Sequence, residues 1–221
     1  MPERILETGE RVSVCPLCGT AGACHFYRDS RRDYLRCHHC LLVYVPESSH
    51  LSITAEHAEY LKHENSPLDS GYRRFLNRLV RPMLERVPAG AQGLDFGCGP
   101  GPALSTLFAE ARCPVSNYDP FFYHNPEVLQ RRYDFVCATE VIEHLRKPAE
   151  TLEQIWSCVA PGGRFGAMSK LVIDQQAFTR WHYKNDPTHI SFFSRETLSW
   201  LAVQWQARLE FVADDAFIFT R

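Results

Sequence analysis

Two C-x2-C pairs, Cys15-Pro-Leu-Cys18 and Cys37-His-His-Cys40, stand eighteen residues apart near the start of the 221-residue chain. Each pair on a tight turn aims two sulfurs at one point, and four thiolates at about 2.3 Å complete the closed tetrahedral shell of a structural zinc. The segments between and after the pairs (residues 24–27, 34–36 and 41–45) read as strands, with Pro46 ending the last. Residues 1–46 are therefore expected to form a zinc ribbon held by Cys15, Cys18, Cys37 and Cys40. A unit this short buries too little apolar surface to fold without such a staple. Cys24, His25, His38 and His39 are further ligand types that a four-cysteine shell does not need. The first ten residues alternate charge and lack the apolar run of a secretory signal, so a cytoplasmic setting is expected, and in that reducing compartment the nine cysteines are not read as a disulfide framework.

Composition narrows the partners. Lys and Arg number 24 against 26 Asp and Glu, a formal charge of -2, so no global field draws the chain to nucleic acid or an anionic membrane. No stretch approaches the roughly 18 apolar residues of a membrane span. Within the ribbon, Arg4, Arg11, Arg28, Arg31, Arg32 and Arg36 are nearly balanced by Glu3, Glu7, Glu10, Asp29 and Asp33. Only a local patch of Arg28, Arg31, Arg32 and Arg36 is left as a possible RNA footprint. Residues 47–92 read as a helical connector. Its longer helix carries Tyr72, Phe75, Leu76, Leu79, Val80, Met83 and Leu84 at three- and four-residue intervals, the stripe of a helix packed on a sheet, with Pro82 as a potential kink.

Asp95-Phe-Gly97-Cys98-Gly99-Pro-Gly101 joins an apolar strand to a helix over residues 103–110. The third glycine of a dinucleotide fingerprint would fall on Pro102, which argues against NAD. The acid two positions before a G-x-G-x-G loop resembles the first motif of the class I S-adenosylmethionine (SAM)-dependent methyltransferases. That resemblance implies that the backbone at Gly97, Cys98, Gly99 and Gly101 approaches the methionine and ribose parts of SAM, and that Asp95 serves its ammonium end. SAM carries no pyrophosphate, so a carboxylate here attracts where it would repel a dinucleotide. Asp119-Pro120 ends the next strand, where a carboxylate accepts ribose hydroxyls. Residues 133–145 are similar to the family's fourth strand and the turn after it, assigning Thr139 and Glu140 to the cofactor, and residues 160–168 to its fifth. The fold implied is α/β: a Rossmann-like methyltransferase sheet over residues 93–221 behind an N-terminal four-cysteine zinc ribbon. Only residues 120–132 separate the second strand from Tyr133, so the third strand is expected to be missing. Phe121, Phe122 or Tyr123 then becomes the candidate to stack on adenine.

Methyl transfer from a sulfonium is an in-line displacement in which the protein orients the nucleophile and, where needed, removes a proton. Glu143 and His144 follow the end of the fourth strand, where ligands of open α/β sheets collect. Residues 181–194 form an aromatic, ionisable insertion after the fifth. His189 lies there in a D-x-x-H-x-x-F-F-S stretch shared with relatives of the family; Tyr183 offers a wall to a flat substrate, and His182 is a weaker candidate. The catalytic candidates are His189, His144, Glu143 and Tyr183. The leading expectation is methyl transfer to an O, N or C nucleophile of a small metabolite or biosynthetic intermediate, with no membrane partner. The rivals are RNA base methylation with the ribbon as RNA clamp, and a non-catalytic SAM-binding regulatory subunit.

Overall fold

A computed structural model of the chain describes residues 4–5, 11–62 and 66–221. Glu3, Glu7 and Glu10 of the charge balance lie outside the described residues. A short hairpin of β1 (Arg4–Ile5) and β2 (Arg11–Val12) leads into the first cysteine turn. That turn closes through hydrogen bonds from the Gly19 amide to the Cys15 carbonyl and from the Cys15 amide to the Thr20 carbonyl, with Gly19 left-handed at φ 72°. β3 (Cys24–Arg28) and β4 (Asp33–Arg36) pair antiparallel, and β5 (Val43–Tyr44) follows the second turn. β5 is shorter than the 41–45 strand expected, because Leu41 takes φ 62° to close the turn and the Cys37 amide donates to the Leu42 carbonyl.

The connector supplies α1 (Ile53–Tyr60), capped by Ser52, and α2 (Ser70–Leu84), capped by Asp69. α2 buries Leu76, Leu79, Val80 and Met83, the stripe its spacing predicted. Leu79 and Met83 crowd Gly166, where a Cβ would come within 3.0 Å of both, so glycine lets the helix lie close on the sheet.

The main sheet contains β6 (Gly93–Phe96), β7 (Val115–Tyr118), β8 (Tyr133–Thr139), β9 (Val159–Met168), β11 (Arg208–Ala213) and β12 (Ala216–Thr220). Their order is β11-β12-β9-β8-β6-β7; neighbours from β7 through β9 are parallel, while β12 is antiparallel to both its neighbours. β7 is thus an edge strand. The third strand is absent among the described residues, and a single turn of 3-10 helix (Pro126–Gln130) spans that interval. Alternation along β8 sorts the layers: Phe135 and Cys137 join the cluster under α2 and α3 (Ala103–Glu110), and Val136 and Ala138 the cluster under α4 (Pro148–Ser157) and α6 (Arg195–Gln204).

Beyond β9 the chain leaves the sheet through a short α5 (Gln175–Thr179) and a 3-10 turn (His182–Asn185) before returning as β10 (Ser191–Phe192). β10 pairs with β5 and completes a four-stranded sheet with the ribbon, in the order β10-β5-β4-β3. Ribbon and insertion share one aromatic core of Phe26, Tyr34, Phe178, Tyr183 and Phe192. No helix among the described residues is long and apolar enough to cross a membrane.

Candidate active site

β6 and β8 lie side by side while the chain leaves β6 for the opposite neighbour, β7. This is the switch point at which open α/β sheets open a crevice beyond the carboxyl ends of their strands. A cavity of about 650 Å³ lies there. Phe96, Gly97, Cys98, Gly99 and Pro100 line one side, Tyr118 to Phe122 a second, and Thr139, Glu140, Val141 and His144 a third. Gly97 has φ 75°, and a Cβ on it would lie 2.5 Å from Val141 Cγ2, so only glycine passes between loop and strand end. Gly99 is likewise left-handed, at φ 64°. Gly101 does not line the cavity; its carbonyl accepts from the Ala103 amide at the start of α3.

Asp95 sits behind this loop, 2% exposed, and its Oδ1 has no hydrogen-bond partner. Burial, helped by the charge of Asp119, pushes its carboxyl up to about 7. A buried acceptor of this kind suits a cation. Asp119 is engaged by the backbone: Gly99 N–H donates to Oδ2 at 3.0 Å, and the amides of Phe121 and Phe122 donate to Oδ1 at 2.8 and 3.1 Å. It both lines the cavity and ties the glycine loop to the aromatic turn. Phe121 and Phe122 reach the cavity and Tyr123 does not. Phe121 stacks on His57 of α1 at 5.0 Å and 11°, so the connector covers flank left bare by the missing strand.

At the opposite end the four catalytic candidates come together. His144 and His189 line the cavity with their rings 4.6 Å apart, while Glu143 and Tyr183 lie buried behind them. The Tyr183 hydroxyl donates a short hydrogen bond to Glu143 Oε1 and lies 3.3 Å from Glu140 Oε2. Burial and then the charge of Glu140 raise the Glu143 carboxyl to about 8; burial raises Glu140 to about 7. Burial beside these carboxylates drives the Tyr183 phenol far above its ordinary range. Glu140 holds φ 53° at the end of β8, a left-handed turn that a non-glycine residue adopts at a cost of about 1–3 kcal/mol. His182 is exposed and lies 3.1 Å from Lys170 Nζ, away from the cavity.

Sequence reasoning overlooked Glu56, Tyr60, Tyr72, Phe75 and Asp186, which also line the cavity. Asp186 had a local signal, since Asp186-Pro-Thr-His189 spaces its carboxylate beside the imidazole, and Oδ2 lies 3.8 Å from His189 Nε2. Glu56 had none: it is buried by Arg146, whose Nε donates to it at 2.9 Å across ninety residues of sequence.

The cysteine cluster is separate. The four sulfurs of Cys15, Cys18, Cys37 and Cys40 lie within 4.8 Å of one another, with Cys15–Cys40 at 3.5 Å and Cys18–Cys37 at 3.4 Å. These spacings far exceed the roughly 2.05 Å of a disulfide. They approach the edge of about 3.8 Å of a tetrahedron with 2.3 Å metal–sulfur bonds. The His39 amide donates to Cys37 Sγ at 3.4 Å, as suits a thiolate.

The methyltransferase-domain family matches residues 68–210, which contain the glycine loop, both carboxylate-bearing strand ends and the histidine pair. The chain belongs to this family. The methyltransferase has the fold of a SAM-dependent methyltransferase from Archaeoglobus fulgidus (15% identity, covering 77% of this chain and 100% of that one, TM-score 0.52). The same holds for the magnesium protoporphyrin IX methyltransferase of Synechocystis PCC 6803 with bound S-adenosylhomocysteine (SAH), at 12% identity, covering 76% and 94%, TM-score 0.51. No curated protein sequence matches the chain. The fit of the methyltransferase site to SAM rests on its own atoms: a glycine cradle that a Cβ would fill, and an orphaned buried carboxylate oxygen at Asp95.

Proposed function

We propose that the protein transfers a methyl group from SAM to a small-molecule nucleophile bound between the glycine loop and the His144–His189 pair. SAM supplies a methyl carbon activated by its sulfonium. Asp95 and the loop from Gly97 to Gly99 hold the amino-acid part of the cofactor, Asp119 and Pro120 face its ribose, and Phe121 and Phe122 offer faces to adenine. Thr139 and Glu140 edge the cofactor half, while Glu143 and Tyr183 brace the acceptor end. Cys15, Cys18, Cys37 and Cys40 hold a structural zinc.

The observation that carries the small-molecule reading is the convergence of three separate segments on one cavity at the acceptor end. Glu56 and Tyr60 of α1, Asp186 and His189 of the insertion, and His144 all line one cavity. A volume of about 650 Å³ lies within the range of about 300–1,000 Å³ typical of small-ligand sites. The ribbon arginines also weigh against an RNA clamp. Arg32 is buried and bonded to the insertion, and Arg31 donates to the Asn185 carbonyl at 2.9 Å. The test is transfer of labelled methyl from SAM into an extract lacking the protein, fractionated into RNA, protein and small molecules. Label is expected in the small-molecule fraction; label in RNA, lost on ribonuclease treatment, would favour the RNA reading.

Cofactor affinity should depend on pH through Asp95. Below about 7 its carboxyl is protonated and presents no charge to the ammonium group; above it the carboxylate is present. SAH affinity measured by calorimetry is therefore expected to rise as pH passes from about 6 to about 8, by several-fold. Asp95→Asn should bind more weakly and lose this part of the pH dependence. An unchanged pH dependence in the variant would remove Asp95 from this role.

A further inference from the structure

A second group of ligating side chains lies at the acceptor end of the cavity. Glu143, His144 and His189 each offer one ligand atom, and the three atoms lie within 4.8 Å of one another. The surrounding bonds prepare the set. His144 Nδ1 lies 3.2 Å from the Thr188 carbonyl and His189 Nδ1 2.8 Å from the Tyr183 carbonyl. A carbonyl only accepts, so each Nδ1 carries a proton, and in the neutral imidazole Nε2 keeps the lone pair with which it can ligate a metal. An imidazole whose other nitrogen donates to a carbonyl is the usual arrangement of a histidine metal ligand. Glu143 adds an independent observation. It is 0% exposed, its Oε1 accepts from Tyr183, and its Oε2 is buried without a hydrogen-bond partner.

We infer that Glu143, His144 and His189 form a binding site for a divalent transition-metal cation, distinct from the four-cysteine cluster and open to the cavity on the side away from Glu143. Two imidazoles and one carboxylate suit borderline cations and leave positions for further ligands. Asp186 Oδ2, 3.8 Å from His189 Nε2, adds negative charge at the rim. The open positions face the region assigned above to the acceptor. This rests on that functional reading and sharpens it: the acceptor carries an oxygen donor, a hydroxyl, phenol or carboxylate, able to complete the shell.

The test is titration of the full, zinc-loaded chain with cobalt(II), without SAM, counting bound cobalt by equilibrium dialysis. One cobalt per chain is expected beyond the zinc, without the thiolate-to-cobalt charge-transfer absorption that entry into the cysteine cluster would produce. Its affinity should fall at least about tenfold in His189→Ala and in Glu143→Gln. Should the buried Glu143→Gln variant fail to fold, His144→Gln, at a partly exposed position, replaces it. Absence of bound cobalt beyond the cysteine site, or equal affinity in the folded variants, would overturn the inference. SAH calorimetry on the same wild-type sample separates the two proposals. Intact SAH binding without cobalt rejects the metal site alone, whereas failure to bind SAH rejects the methyl-transfer reading.

Discussion

Gly97→Ala should reduce SAH affinity on the order of a hundredfold, about 2.8 kcal/mol, while leaving the chain folded. The residue has φ 75°, which an L side chain adopts at a cost of about 1–2 kcal/mol, and the new methyl would meet Val141 Cγ2 at 2.5 Å. Val141 follows Glu140 at the end of β8, so it has little freedom to retreat. The loop must shift instead, and the Gly97 and Cys98 amides, which both donate to the Tyr118 carbonyl, shift with it. Calorimetry with SAH checks the affinity and circular dichroism the fold. Wild-type affinity in the variant would show that the loop does not approach the cofactor.

Arg32→Ala should lower turnover by at least about tenfold while changing SAH affinity little. Arg32 is 8% exposed, and its guanidinium donates to the carbonyls of Lys184 (2.7 Å), Asp186 (2.9 Å) and Pro187 (3.1 Å) and, through Nε, to the Tyr34 hydroxyl (3.1 Å). These carbonyls belong to the segment between Tyr183 and His189. Removing a charged donor from buried acceptors costs on the order of 3 kcal/mol, and that loss falls on the acceptor end of the cavity. Cys37→Ser, by loosening the second cysteine turn from which β5 departs, should give the same split between turnover and cofactor affinity. The measurement is kcat beside the calorimetric SAH affinity. An equal loss of both would mean that the ribbon supports the fold as a whole.

The four cysteines and the glycine loop were legible because their chemistry is local. Two cysteines three residues apart meet on one turn, and Gly97 is demanded by its own backbone angle. The shortened interval before Tyr133 foretold the loss of a strand by length alone, since residues 120–132 cannot form two helices and a strand. His144 and His189 were named from two separate stretches. Their approach to a ring separation of 4.6 Å required the insertion to fold back over the strand ends.

The arginines of the ribbon taught the opposite lesson. Read along the chain, Arg28, Arg31, Arg32 and Arg36 formed a local basic patch. In space Arg32 faces inward to carbonyls about 150 positions away, because β5 pairs with β10 and brings the insertion against the ribbon. No periodicity within either segment announces that pairing, as β5 and β10 are only two residues each. The sequence by itself determined the family, the glycine loop and the cysteine cluster, whose spacings are set by turns of a few residues. Only the tertiary structure decided that α1 and the insertion line the histidine end of the cavity and that the ribbon holds the insertion in place. Those contacts join surfaces complementary in shape and hydrogen bonding across distant segments, and such complementarity leaves no pattern in either segment alone.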